Sequence, residues 1–320
     1  MKIGASIMRF LKDWTLPVAI VIGTLCYLPF GFMPALDESG RVLGRVIDVV
    51  FPVTLFLTLF VTFCKVDFHQ MRFHRWHFGV LLAQVLMVAA NIVLIFWLPE
   101  QKLLWEAVLT CIIGPSAVAA PVVVGKLGGN ISTMTTYTLL SSFASSLMIP
   151  AVFPILEPTA DVAFLSAFLI ILEKMLLLLM LPLLLGWLVQ HYAARLARWI
   201  ASIPDLNFYL WAVSLAITTG VTVKNIVHSE ATLALLLWIA LASLLLCWVQ
   251  FLVGHVVGTR FGELVNSRQA LFQKNTGLSI WVAYMYLNPV SSIGAGCYVL
   301  WQNIINSLEL WQYRKKGDGC

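Results

Sequence analysis

The chain has 320 residues, 60% hydrophobic and 11% charged, with a formal net charge of +5. A soluble domain carries roughly a quarter charged residues, so this composition excludes a water-soluble globule and makes lipid the solvent for most of the surface. The mean hydropathy of +0.91 agrees, and the positive charge does not point to nucleic acid, because in a membrane protein the placement of basic residues matters more than their sum.

Apolar stretches separated by short polar breaks predict ten spans of about 20 residues. The first, 14–35, follows the basic start MKIGASIMRFLKD; no small-residue cleavage site follows a short apolar core, so it reads as a span and not a removed signal peptide. The others are 45–64, 78–98, 103–125, 131–155, 162–190, 206–226, 231–257, 267–288 and 291–312. No stretch alternates as a barrel strand would.

The basic residues test this map. With the N-terminus in the cytoplasm, the inner loops receive Lys2, Arg9 and Lys12, then Lys65, Arg72 and Arg75, then Lys126. Further on they receive Arg195 and Arg198, Arg260 and Arg268, and Arg314, Lys315 and Lys316. The outer side receives Arg41, Arg45, Lys102 and Lys224, and only Lys174 and Lys274 fall in the interior of spans, away from their ends. This asymmetry predicts a multi-pass protein of a bacterial inner membrane with both termini cytoplasmic. Ten spans divide into two sets of five, 1–158 and 159–320. An odd number per set makes the second run opposite to the first, which is the arithmetic of an inverted repeat in secondary transporters.

Two spans are poor helices. The fourth is interrupted by Gly114-Pro115-Ser116-Ala117-Val118-Ala119-Ala120-Pro121, and the ninth, at the matching place, carries Gln273-Lys274-Asn275-Thr276-Gly277. Broken helices at membrane depth are tolerated where they are buried in protein or line a wet cavity, and their half-helix ends present partial charges to a solute. Lys274 lies six residues beyond Arg268. An intramembrane cation costs about 2.5–3.5 kcal/mol on insertion scales and needs a partner or a cavity; the bland reading is a lysine that snorkels to the cytoplasmic face.

Glu173-Lys174 intrudes on the sixth span. Adjacent helical residues point about 100° apart, so one of the two is expected to face the bundle, with Glu173 a possible counter-ion of Lys274 or Lys174. Gln84 sits mid-span, and Ser116, Thr135, Thr138, Ser141 and Ser142 add hydroxyls around the fourth and fifth spans. Most such hydroxyls bond to backbone or permit close packing.

His69, His74 and His77 share the loop KVDFHQMRFHRWH without a converging acidic or thiol set, so no metal is expected. The cysteines, Cys26, Cys64, Cys111, Cys247, Cys297 and Cys320, are scattered and read as small hydrophobes. No Walker motif, nucleophile elbow or catalytic carboxylate pair is present, so neither an enzyme nor a self-contained ATP-driven pump is expected, and no cofactor.

Three stretches resemble the bile acid:sodium symporter family. GPSAVAAPVVVGKLGGNISTMTTYTLLSS is similar to its fourth and fifth spans, LPLLLGW at 181–187 to its sixth, and QKNTGLSIWVAYMYLNPVSSIGAGCYVLWQNIINSLE to its ninth and tenth. The run from Asn275 to Leu278 and the pair Gln302-Asn303 are the most specific matches. The resemblance implies two inverted five-helix repeats, a core of spans 3–5 and 8–10 with crossed broken helices, and a panel of spans 1–2 and 6–7. It implies a small organic anion as solute, taken from a cavity between core and panel.

Sodium coupling is where the chain departs. The family's Ser-Asn pair at the fourth-span break corresponds to Ala120 and Pro121, its ninth-span Glu and Gln to Ala270 and Lys274, and a fifth-span Ser to Met134; only Gln84 and Thr138 match. Sodium is a hard cation that wants oxygens. The resemblance therefore implies that Lys274 stands near the place of the ion, its ammonium offsetting the same carbonyl dipoles, and that transport is uniport or proton-coupled. The expected site set is Gln84, Pro115, Ser116, Pro121, Thr138, Gln273, Lys274, Asn275, Thr276 and Gly277. Two other readings are a membrane sensor on the same fold, against which the lack of a signalling domain after Lys316 counts, and a sodium symporter with relocated sites.

Overall fold

The computed structural model describes residues 15–32, 37–68, 71–158, 162–203 and 206–317. Lys2, Arg9, Lys12, His69 and Cys320 lie outside them. The described residues are predominantly helical, and contain no strand beyond a single isolated bridge between Ser116 and Lys274.

The helices in chain order are α1 (Thr15–Phe32), α2 (Asp37–Phe63), α3 (Arg75–Trp97), α4 (Lys102–Ile113), α5 (Ala120–Lys126), α6 (Ile131–Leu156) and α7 (Phe164–Met175). They continue with α8 (Leu181–Tyr192), α9 (Ala194–Ser202), α10 (Leu206–Val227), α11 (Leu233–Phe261), α12 (Leu264–Phe272), α13 (Thr276–Tyr286) and α14 (Ser292–Gly317). Among the described residues six helices are long and apolar enough to cross a membrane: Glu38–Phe63, Arg75–Trp97, Ile131–Leu156, Phe164–Tyr192, Tyr209–Val227 and Leu233–Phe261. The chain is therefore an all-helical membrane protein. The stretches predicted as fourth and ninth spans are each divided, into α4 and α5 and into α12 and α13.

Local chemistry explains the interruptions. A single π turn, Leu176–Met180, joins α7 to α8. It precedes Pro182, which cannot donate to the carbonyl four residues back and forces the ladder to widen. Helix α9 was not anticipated: its Arg195 and Arg198 are exposed while Ala197 and Ile200 are buried, an amphipathic segment suited to a membrane surface. Gly262 ends α11 at φ 73°, a left-handed cap that glycine adopts without strain.

Burial follows lipid logic. On α11 the inward stripe is Ile239, Ser243, Cys247, Gln250, Gly254 and Gly258. Its exposed face carries Leu237, Leu241, Leu245, Trp248, Leu252 and Val256. Small residues on the inner stripe let backbones approach: a methyl group at Gly254 would stand 2.7 Å from the Ser267 carbonyl of α12. Helices from the two expected halves interleave, with α10 against α1 and α2, α14 against α4 and α12 against α3.

Candidate functional site

The site is built where two helices stop in the middle of the bundle. Helix α4 ends at Ile113 because Gly114 turns extended and Pro115 lacks an amide. Helix α12 ends at Phe272, and Gln273 is likewise extended. The two interruptions lie antiparallel against each other: Ala117 N donates to Gln273 O at 2.8 Å, and Asn275 N donates to Pro115 O at 2.9 Å. Each break thus supplies backbone partners for the other, as an interior without water requires.

The remaining carbonyls of α4 are capped by side chains from three other helices. Gln84 Nε2 of α3 donates to Ile112 O and Gly114 O, each at 3.0 Å. Ser145 Oγ of α6 donates to Ile113 O at 2.9 Å, and Gln250 Nε2 of α11 to Cys111 O at 3.2 Å. On the second break, Tyr298 OH donates to Phe272 O at 2.6 Å. Gln302 brackets Lys274, its Oε1 accepting from the Lys274 amide at 3.0 Å and its Nε2 donating to the Lys274 carbonyl at 3.3 Å. Asn275 caps α13 by accepting from Leu278 N at 3.2 Å.

Lys274 is 1% exposed, and its Nζ has no hydrogen-bond partner among the described residues. Neutral amides and hydroxyls cap the neighbouring carbonyls, and no hydrogen bond joins the Lys274 amine to them. Other buried polar atoms without partners are Gln84 Oε1, Gln250 Oε1, Gln273 Oε1 and Ser279 Oγ.

Not every expected site residue converges here. Thr138 bonds back to Met134 O on its own helix at 3.0 Å, and the hydroxyl that reaches the crossing is Ser141 Oγ, which accepts from Ser116 N at 3.0 Å. Pro121 is buried at the start of α5, where a missing amide is harmless, and marks the restart of the chain. Thr276 and Gly277 form the first turn of α13; a methyl at Gly277 would meet Leu55 of α2 and Ser214 of α10. Glu173 and Lys174 are both exposed. This corrects the expectation that one faces the bundle: Ile171, Met175, Leu178 and Leu179 occupy the inward stripe of that helix. Among the described residues neither makes an ion pair with Lys274.

Ala120, Met134 and Ala270 pack together in one buried apolar cluster, with Ala117 and Tyr137. No group of three or more metal-binding side chains occurs among the described residues.

Several residues of this interior were not singled out from sequence. Gln250, Ser145 and Tyr298 cap carbonyls. Glu106 is 0% exposed on α4 and accepts from Ser291 Oγ at 2.7 Å. At the opposite end of the bundle Arg268 pairs with Glu309, which also accepts from Gln269 Nε2 at 2.7 Å and ties α12 to α14. The available signal was a lone polar letter in an apolar run, as in KLLWEAVLTCII and CWVQFL. No family model matches the chain, and no curated protein matches it.

Proposed function

We propose that the chain is a secondary transporter of a small organic anion, working by alternating access and without sodium, and that it is a divergent member of the bile acid:sodium symporter family. In this reading it crosses a bacterial inner membrane ten times, both termini are cytoplasmic, and two inverted five-helix repeats place their fourth and ninth spans across each other. Helices α3–α6 and α11–α14 are the core; α1, α2, α7, α8 and α10 are the panel.

One observation carries the proposal: a fully buried lysine with a free amine at the crossing of two interrupted helices. Ionisable groups inside a membrane are costly and mark solute or ion pathways. The first turn of α13 packs against Leu55 and Ser214 of the panel, and the amide end of a helix favours an anion. The apolar cluster of Ala120, Met134 and Ala270 fills positions where a sodium ion would need oxygens, which supports independence from sodium.

Proteoliposomes containing the purified protein should take up labelled mono- or dicarboxylates to the same extent with and without an inward sodium gradient. Lys274→Gln should abolish that uptake. Stimulation by the sodium gradient in the wild type would overturn the sodium-independent reading, and full uptake by Lys274→Gln would remove the lysine from the mechanism.

A further inference from the structure

Away from the crossing, α4 carries a second buried ionisable side chain. Glu106 is 0% exposed. Its Oε2 accepts from Ser291 Oγ at 2.7 Å, while its Oε1 has no hydrogen-bond donor. The nearest cation is Lys102, one turn earlier, with Nζ 3.5 Å from that Oε1. Lys102 is held more closely by others: its Nζ lies 2.8 Å from Glu157 Oε1 and donates to Leu156 O at 2.9 Å. Two carboxylates therefore share one ammonium, and the buried one has the poorer share.

With both carboxylates ionised, the group carries a net negative charge, and its fully buried member leaves an oxygen without a donor. An ionised carboxylate in that state is costly, whereas a proton on Oε1 removes the charge and turns the orphaned oxygen into a donor. The Glu157 carboxylate holds the same ammonium, its Oε1 2.8 Å from Lys102 Nζ. Glu157 also lines an open cavity of about 590 Å³ between the end of α6, the start of α7 and the end of α13, with Phe153, Pro154, Ile171, Tyr286 and Asn288.

The other elements packed on this part of α4 bring Ile95 from α3, Leu235 and Ile239 from α11, and Ile293 from α14. Among the described residues the one ion pair of Glu106 is with Lys102.

We infer that Glu106 is a proton-binding site, loaded from the open cavity through Glu157, and that this proton is the coupling ion of the transporter. A proton from water in the cavity is taken by the Glu157 carboxylate and passes to Glu106 Oε1. Glu157 is left ionised against Lys102, and Glu106 becomes neutral. Reversal returns the proton to the cavity. The inference rests on the transport reading for the use of the proton, but not for its binding.

Infrared pH titration of the full chain in lipid nanodiscs tests it, in H2O and D2O. The wild type should show a protonated-carboxyl C=O band that shifts in D2O and disappears at high pH. Glu106→Gln should lose the band while keeping its thermal unfolding midpoint, because an amide reproduces the neutral acid: its oxygen accepts from Ser291 and its NH2 donates to Glu157. Glu157→Gln should keep the band and change the pH at which it titrates. A band retained in Glu106→Gln, no band in the wild type, or a band abolished by sodium would overturn the inference; so would a fallen midpoint with Glu157→Gln titrating like the wild type, the pattern of a purely structural ion pair. The titration needs no solute. The expected band without carboxylate uptake would sink the transport reading alone, and uptake without the band would sink the proton site alone.

Discussion

Lys274 and Glu106 are both buried ionisable side chains in interrupted spans, and their surroundings differ sharply. Glu106 has a hydroxyl donor, a nearby ammonium and a second carboxylate beside a cavity. Lys274 has its backbone bracketed on both sides by Gln302, yet its amine touches no acceptor. The packing specifies where Lys274 is held and gives its amine no partner, while at Glu106 it partners one carboxylate oxygen and leaves the other only a share of one ammonium. A side chain kept at such cost without a partner is the signature expected of a functional group, and a partnered one suits exchange with its neighbours.

The largest effect tests the frame that both share. Gln84→Leu should destabilise the protein by roughly 2–6 kcal/mol, about 1–3 for each of the two carbonyls left without a donor. Denaturant unfolding in detergent micelles would measure it, and an unchanged midpoint would mean that the α4 carbonyls find other donors.

Next comes the contrast itself. Lys274→Met removes an amine with nothing to lose and should raise stability by about 1–3 kcal/mol while abolishing uptake. Glu106→Leu strands the Ser291 hydroxyl and should lower stability by about 1–3 kcal/mol, with little added for the Lys102 pair because that side chain is 37% exposed. Changes of the same sign at the two sites would erase the distinction drawn between them. The smallest effect belongs to Glu173→Gln, which should leave both unfolding midpoint and uptake unaltered; a clear loss of uptake would return that exposed carboxylate to the pathway.

Much of this was readable from residue order. Gly114-Pro115 and the run Gln273 to Gly277 mark both interruptions, since proline lacks a donor and a polar run breaks an apolar helix. The roles within them were less readable. Thr138 and Ser141 look alike on paper, but one bonds back to its own helix and the other reaches the crossing. Gln250 and Glu106 stood out only as single polar letters. Lys174 and Lys274 are both lysines in apolar runs, and one is exposed while the other is buried.

The solvent and the secondary structure came from composition and pattern alone, because 11% charged residues cannot cover a water-soluble surface and long apolar runs in lipid must satisfy their backbone as helices. Which polar atoms have partners came only from the packed bundle. Ser116 and Gln273 are 157 residues apart in the chain and meet through the space between two broken helices. Hydrogen bonds reach about 3 Å and depend on direction, so no spacing in the sequence could reveal that Gln84, Ser145, Gln250 and Tyr298 cap the carbonyls at the two breaks while the Lys274 amine makes no hydrogen bond.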